Sequence, residues 1–338
     1  MLNEKEINQI KDELDNCKRP VFFFHDDPDG LASFLLLYRH VKEGKGIVLK
    51  ARPQLTEMLA RKAVEYGADK VFVLDIAMVD QEFIDTVKVP VIWIDHHPPL
   101  QRERVKYYNS RLKENMNTPV SYMCYQVVHT DEWIALAGCI GDWYMPDFFE
   151  DFKQKNPELI GEATKIGEIL YETEFGKLIS ILSFNLKGNT SEVSKSVKIL
   201  TRIENPDEIL SQTTPRGKLI YKKYEIINQT YQELIKKALK IKKGKLLVFT
   251  YTEDKLSLTK DLANELIYRF PDCVIVLGRE KSGEMRCSIR ANKINLPNAL
   301  QKALIGLEGY GGGHENACGA SIKKEDFERF LENLEKEI

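Results

Sequence analysis

Three apolar runs of β-like composition each stop at acid and imidazole groups. Val21-Phe22-Phe23-Phe24 leads into His25-Asp26-Asp27-Pro28-Asp29-Gly30, Val71-Phe72-Val73-Leu74 into Asp75, and Val89-Pro90-Val91-Ile92-Trp93-Ile94 into Asp95-His96-His97. Helical patterns separate them. The spacing predicts strands at 20–24, 46–50, 70–75 and 89–95, with helices at 29–41, 54–67 and 80–87 between them. Such alternation predicts a doubly wound parallel sheet. In an open parallel sheet the strand ends meet along one edge, where ligands bind. The acids and imidazoles are therefore predicted to converge there.

The remainder of the chain divides by pattern. Residues 1–17 read as a polar helix, and 118–145 as apolar helix containing Gly138-Cys139-Ile140-Gly141-Asp142-Trp143. From about 150 to 214 the sequence is polar and helix-prone. After Pro215, Ile220, Tyr224, Ile227, Tyr231 and Leu234 recur at helical spacing, predicting a long helix that ends at Lys243-Gly244. Strand patterns return at 246–249, 274–277 and 285–290, with helices near 258–269, 296–305 and 323–336. The expected organisation is a metal-binding domain over 1–150, a helical segment and linker helix over 151–244, and a smaller α/β domain over 245–338.

A chain of 338 residues with 43% apolar content can fill two cores. No apolar run approaches the roughly 20 residues of a membrane helix, and no membrane partner is expected. Met1-Leu2-Asn3-Glu4-Lys5 lacks the apolar core of a signal peptide. The six cysteines form no CxxC pair. They read as reduced thiols of a cytoplasmic protein, neither a disulfide frame nor a zinc site. The net charge of −2 does not announce a nucleic-acid binder. Residues 216–245 nonetheless carry ten Lys/Arg against Glu225 and Glu233. Lys222, Lys223, Lys236, Lys237 and Lys240 are candidate phosphate contacts. The alternative is an ordinary solvated helix face.

Carboxylates crowded at one sheet edge repel one another unless a multivalent cation lies between them. Asp27 and Asp29 sit two apart in a turn stiffened by Pro28, with Gly30 permitting close backbone approach. Each can serve one of two adjacent ions, and Asp75 can bridge both. His96 adds an imidazole, and Asp142 can close the shell of the second ion. Oxygen-rich sites with some imidazole suit Mn²⁺ or Mg²⁺. Two ions roughly 3.5–4 Å apart would clamp a phosphate and activate a water. Taken singly, Asp75 could be a turn acid, His25 a strand cap and His96-His97 a core-and-surface pair. Only the combination outweighs those readings.

The set resembles the DHH phosphoesterase superfamily. His25–Gly30 with Ser33 is similar to its H-x-D-x-D-G-x-x-S motif, and Asp75, Asp95-His96-His97 and Asp142 match its next three motifs. Gly311-Gly312-Gly313-His314-Glu315-Asn316-Ala317-Cys318-Gly319-Ala320 resembles the glycine-rich motif of the DHH-associated domain. Cys318 stands where the family often has alanine. The resemblance covers roughly 20–145 and 245–325.

That resemblance implies a Mn²⁺-dependent phosphodiesterase whose active site lies between two domains. By similarity, Asp27, Asp29, Asp75, His96 and Asp142 are metal ligands, with His25 an additional ligand or supporting group. Asp95 would orient His96 through its free ring nitrogen. His97 would act near the reacting phosphate as acid or electrostatic stabiliser. In the smaller domain, a loop of Gly311, Gly312 and Gly313 would form an anion nest, with His314 at the phosphate and Arg290 clamping it. The expected activity is that of a RecJ-like exonuclease on single-stranded DNA or RNA. The alternatives are a nanoRNase that also dephosphorylates pAp, a cyclic-dinucleotide phosphodiesterase, and a non-catalytic replication scaffold. Because the metal-binding acids are all present, the scaffold reading is disfavoured. A helicase or repair partner docking on 150–215 is a further expectation.

Overall fold

The computed structural model describes residues 1–50, 54–114, 117–241, 244–252 and 256–338. Lys242 and Lys243, part of the basic run and the expected end of the linker helix, lie outside the described residues. The chain forms two compact units, Met1–Tyr224 and Glu225–Ile338.

The first unit is built on β1 (Pro20–His25), β2 (Lys45–Leu49), β3 (Lys70–Leu74), β4 (Val91–Asp95) and β5 (Lys106–Asn109). All neighbours are parallel, in the order β2-β1-β3-β4-β5. The chain steps outward from β1 to β2, then returns to place β3 on the other side of β1. That reversal opens a crevice at the carboxyl ends of β1 and β3. Here Phe24 pairs with Leu74 and Leu74 with Ile94. The next residues in the same row are His25, Asp75 and Asp95. The sheet edge thus collects the polar groups as the sequence predicts.

Alternation along the strands explains the two covered faces. Val21, Phe23, Val71, Val73, Val91 and Trp93 bury one face against Ala60 and Ala63 of α3 (Glu57–Tyr66) and Phe83, Ile84 and Val87 of α4 (Gln81–Val87). On the other face, Phe22 and Phe24 meet Phe34 of α2 (Pro28–Val41), with ring centroids 5.7 and 4.6 Å apart. Each such fully buried side chain contributes about 1.5–3 kcal/mol relative to exposure. Against α2 pack α5 (Val120–Val128) and α6 (Glu132–Gly141), and α1 (Glu4–Asp15) lies against α5. The 118–145 stretch is therefore two helices.

The expected polar segment 150–214 is helical, as α7 (Glu174–Asn185), α8 (Thr190–Leu200) and shorter helices, and belongs to the first unit. It is not polar throughout: Phe175, Leu178, Ile181 and Leu182 are buried. Helix α9 (Pro215–Ala238) follows. Its first part lies in this unit, where Tyr224 stacks on Phe184 at 5.7 Å.

The second unit holds a separate mixed sheet of β6 (Leu246–Thr252), β7 (Val274–Lys281), β8 (Glu284–Arg290), β9 (Gly309–His314) and β10 (Ala317–Lys323), in the order β9-β10-β8-β7-β6. Only β6 and β7 are parallel. Helix α10 (Thr259–Arg269) packs on β7 and β8, while α11 (Leu296–Ala303) packs on β9 and β10 and α12 (Phe327–Glu335) on β10. No described helix is long and apolar enough to cross a membrane.

Candidate metal centre

Asp75 is the pivot. It is 2% exposed and follows β3 in a left-handed conformation, φ +56°. Such a φ is uncommon for a residue other than glycine, though Asp tolerates it best. Its backbone N–H donates to the Ile94 carbonyl at 3.1 Å. Its two carboxylate oxygens face two different groups. Oδ2 lies 3.3 Å from His25 Nδ1, while Oδ1 lies 3.3 Å from His96 Nε2 and 3.8 Å from His97 Nδ1.

On the first side, His25 Nδ1 also lies 3.0 Å from Asp27 Oδ2. Asp27 is the N-cap of α2, and its Oδ1 accepts the Gly30 N–H at 3.0 Å. One oxygen thus closes the helix start and the other faces the site. A Cβ at Gly30 would fall 2.5 Å from the His25 carbonyl oxygen, so only glycine lets α2 begin this close to β1. Asp26, unremarked in the sequence motif, approaches His25 Nε2 at 3.6 Å.

On the second side stand Asp29, His96 and Asp142. Asp29 is 1% exposed and accepts the Val120 and Ser121 N–H groups at 2.9 and 2.8 Å. The start of α5 thereby fixes the carboxylate. Asp142 ends α6, and its Oδ2 is 3.7 Å from His96 Nδ1. A Cβ at Gly141 would meet the Pro28 ring carbons at 2.6 Å, so the end of α6 is seated directly on the turn between Asp27 and Asp29.

The electrostatics follow from the crowding. Burial alone would depress His96. Its hydrogen bond to Asp75, with the charges of Asp75, Asp142 and Asp29, instead pushes it up to about 10. Burial opposes protonation of His25 too, but Asp27 and Asp75 hold its pKa well above the usual imidazole range. Burial, with Asp75 and Asp142 nearby, raises Asp29 well above an ordinary carboxylate. For Asp75, burial and Asp27 push upward, yet the hydrogen bonds from His25 and His96 keep it below the ordinary value. The cluster thus attracts positive charge, as protons or as metal ions.

Three groups can each hold a metal ion, every ligand atom within 4.8 Å of the others: His25, Asp27 and Asp75; Asp75, His96 and His97; Asp29, His96 and Asp142. The donor set fits a hard divalent cation. His96 Nδ1 is buried without a hydrogen-bond partner, facing Asp142 at a distance too long for a hydrogen bond. A cation at this place would satisfy the His96 nitrogen.

Asp95 behaves differently from its expected role. It is fully buried, and its Oδ1 lies 2.8 Å from His97 Nδ1, while its Oδ2 accepts the His97 N–H at 3.2 Å. It therefore orients His97 and not His96. The dipeptide geometry explains this, since the Asp95 side chain folds over the second following backbone N–H. Asn109, at the end of β5, donates to the His97 carbonyl at 3.0 Å, and Arg111 Nε donates to the His96 carbonyl at 2.5 Å. Sequence reasoning missed both, because β5 is short and polar; the pair of acceptors after β4 was the available hint.

In the second unit, Gly311, Gly312 and Gly313 are not a loop. They lie on edge strand β9 in register with β10. Amides along an extended strand point alternately to its two sides, so the three do not converge as a nest. Gly311 and Gly313 are required by close packing: a Cβ would meet Leu300 Cδ2 at 2.9 Å and the Ala317 carbonyl oxygen at 2.3 Å, respectively. Gly312 meets nothing within 4 Å. Arg290 and His314 each pair with Ala317 from opposite sides, so all three share one row and one face of the sheet. Arg290 Nε donates to Asn264 Oδ1 at 2.7 Å.

The lysines divide. Lys222, Lys236, Lys237 and Lys240 are exposed. Lys223 turns inward, donating to the Asn185 carbonyl at 2.8 Å and Ser196 Oγ at 3.2 Å. Burial, with some help from the charge of Lys50, lowers it to about 8. Lys50 donates to the Gly188 carbonyl at 2.6 Å. Lys223 satisfies a carbonyl at the carboxyl end of α7 and Lys50 one in the turn that follows. Lys223 is thus a structural residue and not a free phosphate contact. None of the six cysteines is disulfide-bonded.

The model of the DHH family N-terminal domain matches residues 21–136, and that of the DHHA1 domain matches 243–338. Together they take in more than half of the chain. The chain belongs to the DHH phosphoesterase family. Among solved structures, the DHH chain is similar to RecJ in complex with Mn²⁺ from Thermus thermophilus, at 14% identity and TM-score 0.68, over 98% of this chain and 54% of that one. It thus spans about half the length of that relative. An exonuclease RecJ bound to manganese is also 14% identical, with TM-score 0.66 over 99% of this chain and 94% of the other. A pGpG-specific phosphodiesterase from Vibrio cholerae shares 13% identity and TM-score 0.50, over 95% and 100%. No curated protein matches by sequence. At such identities these likenesses speak for the fold, and the DHH chain has it: a parallel sheet in the first unit and a separate mixed sheet in the second.

Proposed function

We propose that the chain is a metal-dependent phosphodiesterase, acting as an exonuclease on single-stranded DNA or RNA with two Mn²⁺ ions. The observation that carries this is Asp75, one oxygen toward His25 and Asp27, the other toward His96. One cation would be held by His25, Asp27 and Asp75, the other by Asp29, His96 and Asp142, with Asp75 common to both. Two cations so held supply charge for a phosphate and lower the pKa of a water. The remaining work falls to the chain's own groups. Asp29 is fixed by the start of α5 and Asp27 by its cap of α2, so the carboxylates are positioned before any ligand arrives. Asp95 accepts the Nδ1 proton of His97, which leaves Nε2 as the atom that takes or gives a proton to the departing oxygen. In the second unit, Arg290 and His314 share one sheet face and are proposed to hold substrate phosphate. Gly312 has no packing reason to be glycine, which supports close approach of a ligand to its backbone.

A second reading is a phosphodiesterase on very short oligonucleotides. It is favoured by the likeness to a pGpG-specific phosphodiesterase matched over its full length. One experiment separates the two: Mn²⁺-dependent digestion of end-labelled DNA and RNA from two to thirty residues, with pAp and cyclic dinucleotides alongside. The exonuclease reading expects kcat/KM to rise with length. A preference for dinucleotides supports the second reading, and no hydrolysis of any substrate refutes both.

A further inference from the structure

Trp143 directly follows Asp142 and has φ +57°. A bulky residue in the left-handed region is a true outlier, and such strain gathers at functional sites. The side chain is 44% exposed, whereas Trp93 and Trp133 are 0% and 8% exposed. Next to it Tyr122 packs with Tyr144 and Phe148, at 5.8 and 6.1 Å. No described ring pairs with Trp143. A lone exposed apolar residue needs no explanation. A strained one beside a candidate metal ligand does. The position is fixed closely: Gly141 is seated on Pro28, between Asp27 and Asp29, and Asp142 faces His96. The N–H groups of Trp143 and Tyr144 donate to the Ile140 and Cys139 carbonyls at 3.1 and 2.9 Å, so the left-handed backbone belongs to the helix end, and what is unusual is a tryptophan where glycine is the common residue.

We infer that Trp143 is the platform on which a nucleobase of the substrate stacks while its phosphate occupies the metal centre. This rests on the phosphodiesterase reading and adds a substrate class, a nucleotide with an intact base beside the scissile bond. An indole offers the largest π-face among side chains, and stacking on it tolerates every base. On that reading, cations held by Asp27, Asp29, His96 and Asp142 would bind the phosphate, which brings the nucleoside attached to it alongside the 141–143 segment. Exposure of the indole leaves its face available to that base.

The test compares wild type, W143F and W143A on a normal dinucleotide and on one with an abasic sugar beside the scissile phosphate. Melting curves establish that the variants fold. With the normal substrate, KM for W143A is expected to rise about ten-fold or more, with kcat little changed and W143F intermediate. Loss of the base should penalise wild type by a similar factor and W143A hardly at all. A phosphorothioate dinucleotide should also quench the exposed indole emission of wild type, a readout independent of turnover. Equal KM values for W143A and wild type, with no quenching, would overturn the inference while leaving the phosphodiesterase reading intact. Hydrolysis of no phosphodiester by wild type would instead overturn that reading, whatever the fluorescence.

Discussion

Asp95 and His97 form a closed pair, with Asp95 Oδ1 2.8 Å from the imidazole Nδ1 and Oδ2 accepting the backbone N–H of the same residue at 3.2 Å. One fully buried carboxylate therefore sets both the tautomer and the orientation of a ring that sits 3.8 Å from the shared acid Asp75.

Asp95→Asn keeps the shape and removes the charge. Asp95 belongs to none of the three potential ligand groups. The expected result is a fall in kcat of about ten- to a hundred-fold, as for other partners of site imidazoles. Mn²⁺ affinity, measured by calorimetry, should be retained. An unchanged kcat would deny His97 an oriented role.

Gly30→Ala tests how the site is assembled. Its Cβ would press on the His25 backbone oxygen and nitrogen at 2.5 and 2.8 Å, atoms that cannot move without disturbing β1. A loss of about 1–3 kcal/mol in stability is expected, typical of overpacking, together with weaker Mn²⁺ binding because Asp27 and Asp29 shift with α2. Wild-type melting and affinity would contradict the close-approach argument.

Much of this arrangement was legible in the sequence. Three apolar runs ending in acids, with the alternating helix pattern between them, identified the first four strands of the parallel sheet and the edge on which the acids meet, because parallel-sheet topology leaves little choice. Three strands of the two five-stranded sheets were not legible. Lys106-Tyr107-Tyr108-Asn109 is a short polar edge strand, and Gly309–His314 lacks the side chains that signal a strand. Its partner Ala317–Lys323 is pinned by the pairing more than by composition. The partner of Asp95 and the inward turn of Lys223 depend on side-chain packing, which neither spacing nor charge counting reports.

Metal binding should release protons. In the metal-free chain the pKa values of His25 and His96 are raised, His96 from 6.5 to about 10. The stability they contribute is fully present below about pH 6.5 and is lost as pH rises through about 10. Metal ligation needs the neutral ring. Apparent Mn²⁺ affinity should therefore increase across that window, and calorimetry in buffers of different ionisation enthalpy should report proton release on binding. Affinity independent of pH would remove the imidazoles from the ligand set.

The exposed lysines of α9 and its end supply a salt-dependence test. Each phosphate contacted contributes a slope of about −0.7 in log K against log salt for single strands. Reversing Lys222, Lys236 and Lys240 should flatten the slope for a 20-mer and spare dinucleotide cleavage. Lys223→Ala should lower the melting temperature instead, since its ammonium satisfies Asn185 and Ser196. An unchanged slope would make α9 an ordinary solvated face.

The central claim is that Asp75 joins two metal sites. Metal analysis after equilibrium dialysis against Mn²⁺ measures this most directly, comparing wild type with Asp75→Ala. Two ions per wild-type chain and one or none in the variant, with loss of nearly all phosphodiesterase activity in a still-folded protein, are the predicted results. Two ions retained by the variant, or a single ion in a fully active wild type, would contradict the account.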